Sequence, residues 1–101
     1  MNLHIDPSVE KFILSLEKQT TAKVLKTIEL LEEFGNRLRM PHSRHVGNDL
    51  FELRIRGQQE VRIFYCFYKG GARLLHGFMK SSQQTPRKEL AAAFSKLQRL
   101  T

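Results

Sequence analysis

Basic and acidic residues alternate with apolar ones in this chain, and their spacing suits the chemistry of a phosphate group. Residues two apart on a β-strand share one face of the sheet. This period places Glu52 and Arg54 together on a first strand and Arg62 on a second strand that follows after a turn. Guanidinium groups bind phosphate oxygens bidentately and keep their charge. The two arginines therefore predict a phosphate-binding surface, with the alternatives that they are solvated or only pair with Glu52 or Glu60.

A third strand, predicted over residues 74–80, carries further groups suited to acid–base chemistry. His76, Phe78 and Lys80 share one of its faces. A histidine in cationic surroundings can be neutral and transfer a proton, although it could equally be half-buried and bonded to the backbone. Lys80 could neutralise a leaving oxygen or simply be solvated. Phe78 could stack on a nucleic-acid base or pack against the loop over residues 80–86.

Glu52 is the one carboxylate expected on the charged face of the sheet. It would either accept a proton from a hydroxyl nucleophile or orient Arg54 or Arg62 through an ion pair. His42 and His45 have no pattern of cysteine or carboxylate ligands around them, so neither a metal site nor a cofactor is expected. The sequence contains no Walker loop, GxGxxG turn, zinc quartet or serine triad that would indicate another chemistry.

Apolar stripes at helical spacing precede and follow the three strands. Asp6-Pro7 predicts the start of a first helix, because it combines a capping oxygen with a proline at the first helical position. Gly35 predicts the end of a second helix. Thr85-Pro86 predicts the opening of a final helix.

Residues 36–48 are predicted to form a cationic loop, and the turn signals between the strands indicate an antiparallel meander, with room for a brief strand over residues 3–5. The helices are expected to cover the apolar face of the sheet and to leave the charged face free. The expected fold class is α+β, with an N-terminal helical hairpin on a small antiparallel sheet and a C-terminal helix. The candidate nucleic-acid-binding residues are Arg37, Arg39, Arg44, Arg56 and Phe78.

Seventeen Lys and Arg residues against ten Asp and Glu residues give a formal charge of +7. This charge suits nucleic acid, an anionic membrane or an acidic protein partner. With 101 residues, the chain is expected to form one domain over residues 1–101. No apolar run reaches the ~18 residues of a membrane span, no signal-peptide core is evident, and the single Cys66 cannot form an internal disulfide. A soluble cytoplasmic protein is therefore expected.

Three runs of residues together resemble the RelE/ParE toxin superfamily, and within it the HigB-like, phage-derived branch. The runs are residues 49–54, 61–65 and 74–80, followed by Thr85-Pro86 and Glu89. The resemblance covers residues 36–95 and extends over the N-terminal helices by order and length. It implies a RelE-like fold of the α+β class.

The resemblance also implies a function. Toxins of this branch are mRNA interferases that enter the ribosomal A site, where ribosomal RNA surrounds them, and cut the message there. A cognate antitoxin, HigA-like and usually carrying a helix-turn-helix domain, holds them inactive. By position, Arg54 and Arg62 match basic strand residues that bind and activate the scissile phosphate, and Lys80 falls near a further catalytic basic residue. A tyrosine that some relatives place near the last helix is absent, which would leave its role unfilled or pass it to His76 or Glu52.

The implied reaction is metal-independent endoribonuclease cleavage, in which the 2′-hydroxyl of the message attacks the adjacent phosphorus. Arg54 and Arg62 would stabilise the charge that develops. The base would be Glu52 or His76, and the acid Lys80 or His76. A ParE-type alternative shares the fold but binds and poisons DNA gyrase without cutting RNA. A third alternative is a basic RNA-binding module without toxicity.

Overall fold

A computed structural model describes residues 1–100 as a five-stranded sheet with helices on both faces. The sheet order is β1-β5-β4-β3-β2, and every neighbouring pair is antiparallel except β1 with β5, which is parallel. The predicted α+β class is confirmed. In chain order the elements are β1 (Asn2–Ile5), α1 (Pro7–Leu14), α2 (Lys18–Phe34), a 3₁₀ turn (Gly35–Arg37), β2 (Ser43–Gly47), β3 (Leu50–Ile55), β4 (Val61–Tyr68), β5 (Gly71–Met79) and α3 (Arg87–Gln98).

The ends of the helices follow local chemistry. The Asp6 carboxylate accepts a hydrogen bond from the Ser8 amide at 3.0 Å, and Pro7 opens α1 as predicted. Gly35 ends α2 with a φ of 55°, a conformation that glycine adopts without a steric penalty. The final helix follows Pro86, also as predicted.

The apolar face of the sheet is the one that the period-2 pattern assigned. Phe51, Leu53 and Ile55 of β3 point into a core that α1 and α2 cover. From the helices, this core receives buried aliphatic side chains spaced at helical intervals. They are Val9, Ile13, Leu16, Val24, Ile28 and Leu31.

The other face of the sheet is not free, and this corrects the sequence-based expectation. Helix α3 packs on it and encloses a second core, in which Phe64 and Cys66 of β4 contact the stripe that includes Ala93. A register shift between β4 and β5 turns Leu75 into the same core. The sequence showed the apolar stripe of α3 but nothing local indicated which face of the sheet it covers.

The segment 36–48 is not wholly a loop, and here too the expectation was wrong. Residues Ser43–Gly47 form the short edge strand β2, which pairs with β3 through a register shift between His45 and Gly47. A short, polar, irregular strand is typical of a sheet edge and carries little alternation for a sequence pattern to detect. The predicted brief strand over residues 3–5 is confirmed, but its parallel pairing with β5 means that the sheet is not a pure antiparallel meander.

None of the helices within residues 1–100 combines the length and the apolarity needed to span a bilayer.

Candidate active site

Arg54 and Arg62 lie directly opposite each other on β3 and β4. Phe78 of β5 lies next to Arg62 in the same row of the sheet. Opposite residues on neighbouring strands have Cβ atoms about 5 Å apart. The prediction that both arginines share a face is therefore confirmed.

An open hollow of about 720 Å³ lies over these two arginines at the end of the sheet that α3 leaves uncovered. Its lining carries four cationic side chains and a single carboxylate. We call it the basic hollow; it is lined by Arg54, Arg56, Glu60, Arg62, Lys80 and residues 81–83. The Lys80 amide donates a hydrogen bond of 2.7 Å to the Glu60 carbonyl, which places these two residues side by side on its rim.

Glu52 lies beneath the arginines with no solvent-exposed surface. Its Oε1 atom accepts a hydrogen bond of 2.9 Å from Arg44 Nε and lies 3.9 Å from Arg54 Nε and 4.0 Å from Arg62 Nε. A carboxylate without exposed surface cannot reach an RNA hydroxyl. The structure therefore favours the orienting role of Glu52 over the role of proton acceptor.

The two arginines differ in how many donors they have available. Within residues 1–100, Arg54 Nε makes no hydrogen bond, and the guanidinium donates only a long hydrogen bond of 3.5 Å from Nη1 to the Met40 sulfur. Arg62 is only 3% exposed and donates to the Val61 carbonyl at 2.9 Å and to Glu60 Oε1 at 3.1 Å. Arg54 is thus the better placed of the two to bind a phosphate directly, whereas Arg62 contributes its positive charge from a buried position in the wall of the hollow.

The crowding of cations changes the protonation chemistry of the basic hollow. Burial, and next the nearby Arg62 charge, lower the pKa of Lys80 below its ordinary value. Burial and Arg62 lower the pKa of the Arg54 guanidinium in the same way. The pKa of Glu60 is raised by burial but lowered more by the Gly57 amide and the Arg62 guanidinium, so the net shift is downward. Lys80 is accordingly the amine in this hollow that gives up a proton most readily.

His76 and Phe78 are not part of the lining of the basic hollow. The His76 Nε2 atom lies 2.8 Å from Glu89 Oε1 on α3, so its ring connects the sheet to that helix. Phe78 is 5% exposed and stacks on Phe64 with ring centroids 5.6 Å apart. A ring this buried offers little surface to a nucleic-acid base, so the structure favours a packing role for Phe78 over base stacking.

The other predicted nucleic-acid-binding residues are spread over the surface. Arg56 lines the basic hollow. Arg44 lines an adjoining hollow that also contains Gln83, so the two hollows meet at the loop after β5. Arg37 and Arg39 belong to the segment after α2 and do not line either hollow; Arg39 donates to the Asn36 carbonyl at 2.7 Å.

Glu60 was not among the predicted site residues, and neither was the loop over residues 81–83. The carboxylate of Glu60 contacts Arg62 and also lies 3.5 Å from Arg56 Nε. The signal that could have identified it is its position one residue before β4, beside the turn that brings β3 and β4 together. Within residues 1–100, no three His, Cys, Asp or Glu side chains come together as metal ligands.

Comparison with models of known protein families gives a match. The model of a family described as phage-derived protein Gp49-like (DUF891) matches residues 11–98, which is most of the chain and includes Arg54, Arg62 and Lys80. No curated protein matches this sequence. The matched segment runs from the second turn of α1 to the end of α3. This chain therefore belongs to the phage-derived protein Gp49-like family.

Proposed function

We propose that this protein is the toxin of a type II toxin–antitoxin pair and acts as a ribosome-dependent mRNA endonuclease. The observation that carries the proposal is the basic hollow, in which Arg54, Arg62 and Lys80 meet beside an open volume of about 720 Å³. Its excess of positive charge suits an RNA phosphate, and its openness suits a chain that passes through. The phage-derived family agrees with the resemblance to HigB-like toxins.

The reaction requires no nucleophile from the protein. The 2′-oxygen of one nucleotide attacks the adjacent phosphorus, the bond from phosphorus to the 5′-oxygen of the next nucleotide breaks, and a 2′,3′-cyclic phosphate and a 5′-hydroxyl result. Arg54 binds a non-bridging oxygen with its available donors, and the buried charge of Arg62 stabilises the phosphorane from below. Removing one such donor typically costs about 10²–10³-fold in rate.

Two protons have to move in this step. Lys80, with its lowered pKa, donates a proton to the departing 5′-oxygen. Glu60, the carboxylate in the lining, accepts the proton from the 2′-hydroxyl. Glu60 takes this role in place of Glu52 and His76, because Glu52 is buried and the His76 ring is hydrogen-bonded to Glu89. The lowered pKa of Glu60 keeps it ionised but makes it a weak base, so charge stabilisation contributes most of the rate.

The ribosome supplies the alignment that this small set of side chains does not. In-line attack requires the 2′-oxygen, the phosphorus and the leaving oxygen to be held in a line, and correct positioning alone is worth several powers of ten in rate. A message bent in the ribosomal A site presents one linkage to the basic hollow. The formal charge of +7 favours association with ribosomal RNA around it.

An antitoxin with an acidic segment is the partner that this surface fits. The segment would neutralise Arg54, Arg56 and Lys80, which line the same hollow, and exclude RNA from it. We propose a HigA-like protein with a helix-turn-helix domain as the source of that segment.

The test compares wild-type protein with Arg54→Ala in a translating extract, with Lys88→Ala, an exposed change on α3, as the control. The wild type and the control are expected to cut the message and leave 5′-hydroxyl ends, and Arg54→Ala is expected to lose at least about 100-fold in rate. Uncut messages with the wild type, together with gyrase inhibition, would replace this proposal by the ParE-type alternative.

A further inference from the structure

A second cavity adjoins the basic hollow at the edge of the sheet. It has a volume of about 310 Å³ and lies between α2 and the end of β3, with Leu30, Pro41 and Ile55 among its lining residues. We call it the edge pocket. Its surface is mainly apolar, and its volume falls at the lower end of the range of about 300–1,000 Å³ that is typical of small-molecule sites.

The edge pocket and the basic hollow share two residues. Arg54 and Arg56 line both cavities, so a phosphate bound by Arg54 in the hollow lies beside a residue of the pocket wall. Arg54 Nη1 reaches the Met40 sulfur, in the segment that leads into Pro41 and the pocket wall. The two cavities therefore form one continuous surface with a charged part and an apolar part.

The charge around the edge pocket is entirely positive. Lys23 and Lys26 join the two arginines in its lining, and the lining contains no Asp or Glu. The His42 imidazole and the Lys26 ammonium also make no hydrogen bond or ion pair with the rest of residues 1–100. The edge pocket thus combines apolar walls, a cationic rim and two hydrogen-bonding groups that are not engaged by other residues within 1–100. This combination suits an aromatic ring that has polar groups at its edge and is attached to an anion.

We infer that the edge pocket binds the base of a nucleotide next to the scissile phosphate, while that phosphate occupies the basic hollow. This inference rests on the function proposed above and adds a substrate subsite to it. The base lies against Leu30 and Pro41, stacks on the His42 ring or the Arg54 guanidinium, and receives hydrogen bonds at its edge from Lys26. Such a site makes cleavage depend on the base beside the cut.

The experiment uses purified ribosomes programmed with one message and with matched messages that carry a single abasic nucleotide on either side of the cut. Leu30→Trp fills the edge pocket, and Leu25→Trp places the same ring on an exposed position of the same helix as the control. His42→Ala is the second variant, which removes a ring without adding bulk. Thermal unfolding of each variant verifies that the fold is retained.

With wild type and Leu25→Trp, an abasic nucleotide on one side of the cut is expected to raise KM roughly tenfold, because base stacking is worth about 1–3 kcal/mol. Leu30→Trp and His42→Ala are expected to raise KM for the intact message and to show no further penalty from the abasic nucleotide. The kcat values are expected to change little, since the pocket binds the base and not the reacting atoms.

The inference is overturned, while the proposed function stands, if both variants cut intact and abasic messages with wild-type KM. If these variants also lose affinity for a polyglutamate peptide, the pocket is assigned to an acidic protein segment instead. Absence of cutting by the wild type overturns the proposed function itself, and the subsite with it.

Discussion

The side chain of Glu52 is buried in the sheet, and three arginines surround its Oε1 atom. Among residues 1–100, only Arg44 hydrogen-bonds to its Oε1 atom, and the second oxygen, Oε2, has no hydrogen-bond partner. A buried carboxylate is tolerated only when cations neutralise it, and the same carboxylate lets Arg54 and Arg62 lie next to each other. Glu52 is therefore a positioning residue for the arginines.

Glu52→Gln is expected to destabilise the fold by about 3–5 kcal/mol, because it leaves adjacent buried guanidinium groups without a counter-charge. Urea unfolding measures this change. The matched variant Glu60→Gln, at a partly exposed carboxylate, is expected to cost about 1 kcal/mol or less in stability while reducing the rate of cleavage. Equal stability losses in the two variants would contradict these roles.

Lys80→Ala is expected to slow message cleavage by about 10²–10⁴-fold, the usual contribution of a general acid. Because burial and Arg62 lower the pKa of Lys80, its protonated form is lost at a lower pH than for a free lysine. The wild-type rate is therefore expected to fall on the alkaline side at a pH below the ordinary lysine pKa. Lys80→Arg is expected to move that fall to higher pH, and an unchanged pH–rate profile in Lys80→Arg would remove Lys80 from the role of acid.

At the scale of elements, α3 decides how much of the charged face remains open. The core under its apolar stripe includes Phe64, Cys66 and Phe78. Arg54 and Arg62, in the same row as Phe78, line the open basic hollow instead. Lys96 holds the far end of the helix in place. Its ammonium donates to Asp6 Oδ2 and to the Leu75 carbonyl, both at 2.9 Å, and so links α3 to the start of α1.

The Asp6–Lys96 ion pair predicts an acid-sensitive element. Burial raises the pKa of Asp6, but hydrogen bonds from Ser8 and Lys96 lower it by more. The net result is a pKa of about 2, against a model-peptide value of 3.8. A carboxyl group with a depressed folded-state pKa stabilises the fold above its unfolded pKa, and this contribution is lost as the pH falls through the folded pKa. The loss is therefore expected between about pH 4 and pH 2.

Lys96→Met is expected to reduce stability near neutral pH by roughly 1–2 kcal/mol and to make the acid limb of the stability curve shallower. Denaturant unfolding at several pH values measures both effects. Lys88→Met, on the exposed side of the same helix, is the control. An acid limb that is equally steep in Lys96→Met and in the wild type would contradict the assignment.

At the scale of the whole molecule, helices lie on both faces of the sheet and leave one hollow with a local excess of positive charge. In a chain of formal charge +7, the cations Arg54, Arg56 and Lys80 line this basic hollow together. Binding that neutralises phosphates releases counterions and weakens as salt rises.

Affinity for ribosomes is expected to fall steeply between about 50 mM and 200 mM salt. Arg56→Ala removes an exposed cation from the basic hollow, so the slope of log K against log salt is expected to decrease by about one. Lys18→Ala, on the first turn of α2 and outside the hollow, tests for a general charge effect. Equal slope changes in the two variants would show that the hollow is not the contact surface.

The sequence alone determined those features that depend on neighbours along the chain. Alternation on β3 and β4 identified the apolar face and the arginine row, and Asp6-Pro7 and Gly35 identified helix ends, since a period or a cap is a property of a few consecutive residues. The same local pattern could not tell that Glu52 and Phe78 are buried. The burial of Phe78 depends on which face α3 covers, and Glu52 lies among arginines from three strands.

Only the tertiary structure decided that the charged face is half covered, that Glu60 and the loop after β5 complete the basic hollow, and that an apolar pocket adjoins it. Each of these features joins segments that are far apart in the chain, and the free energy that selects them comes from packing between whole elements. A sequence pattern reports the face of each element, whereas the pairing of faces is settled when the elements meet.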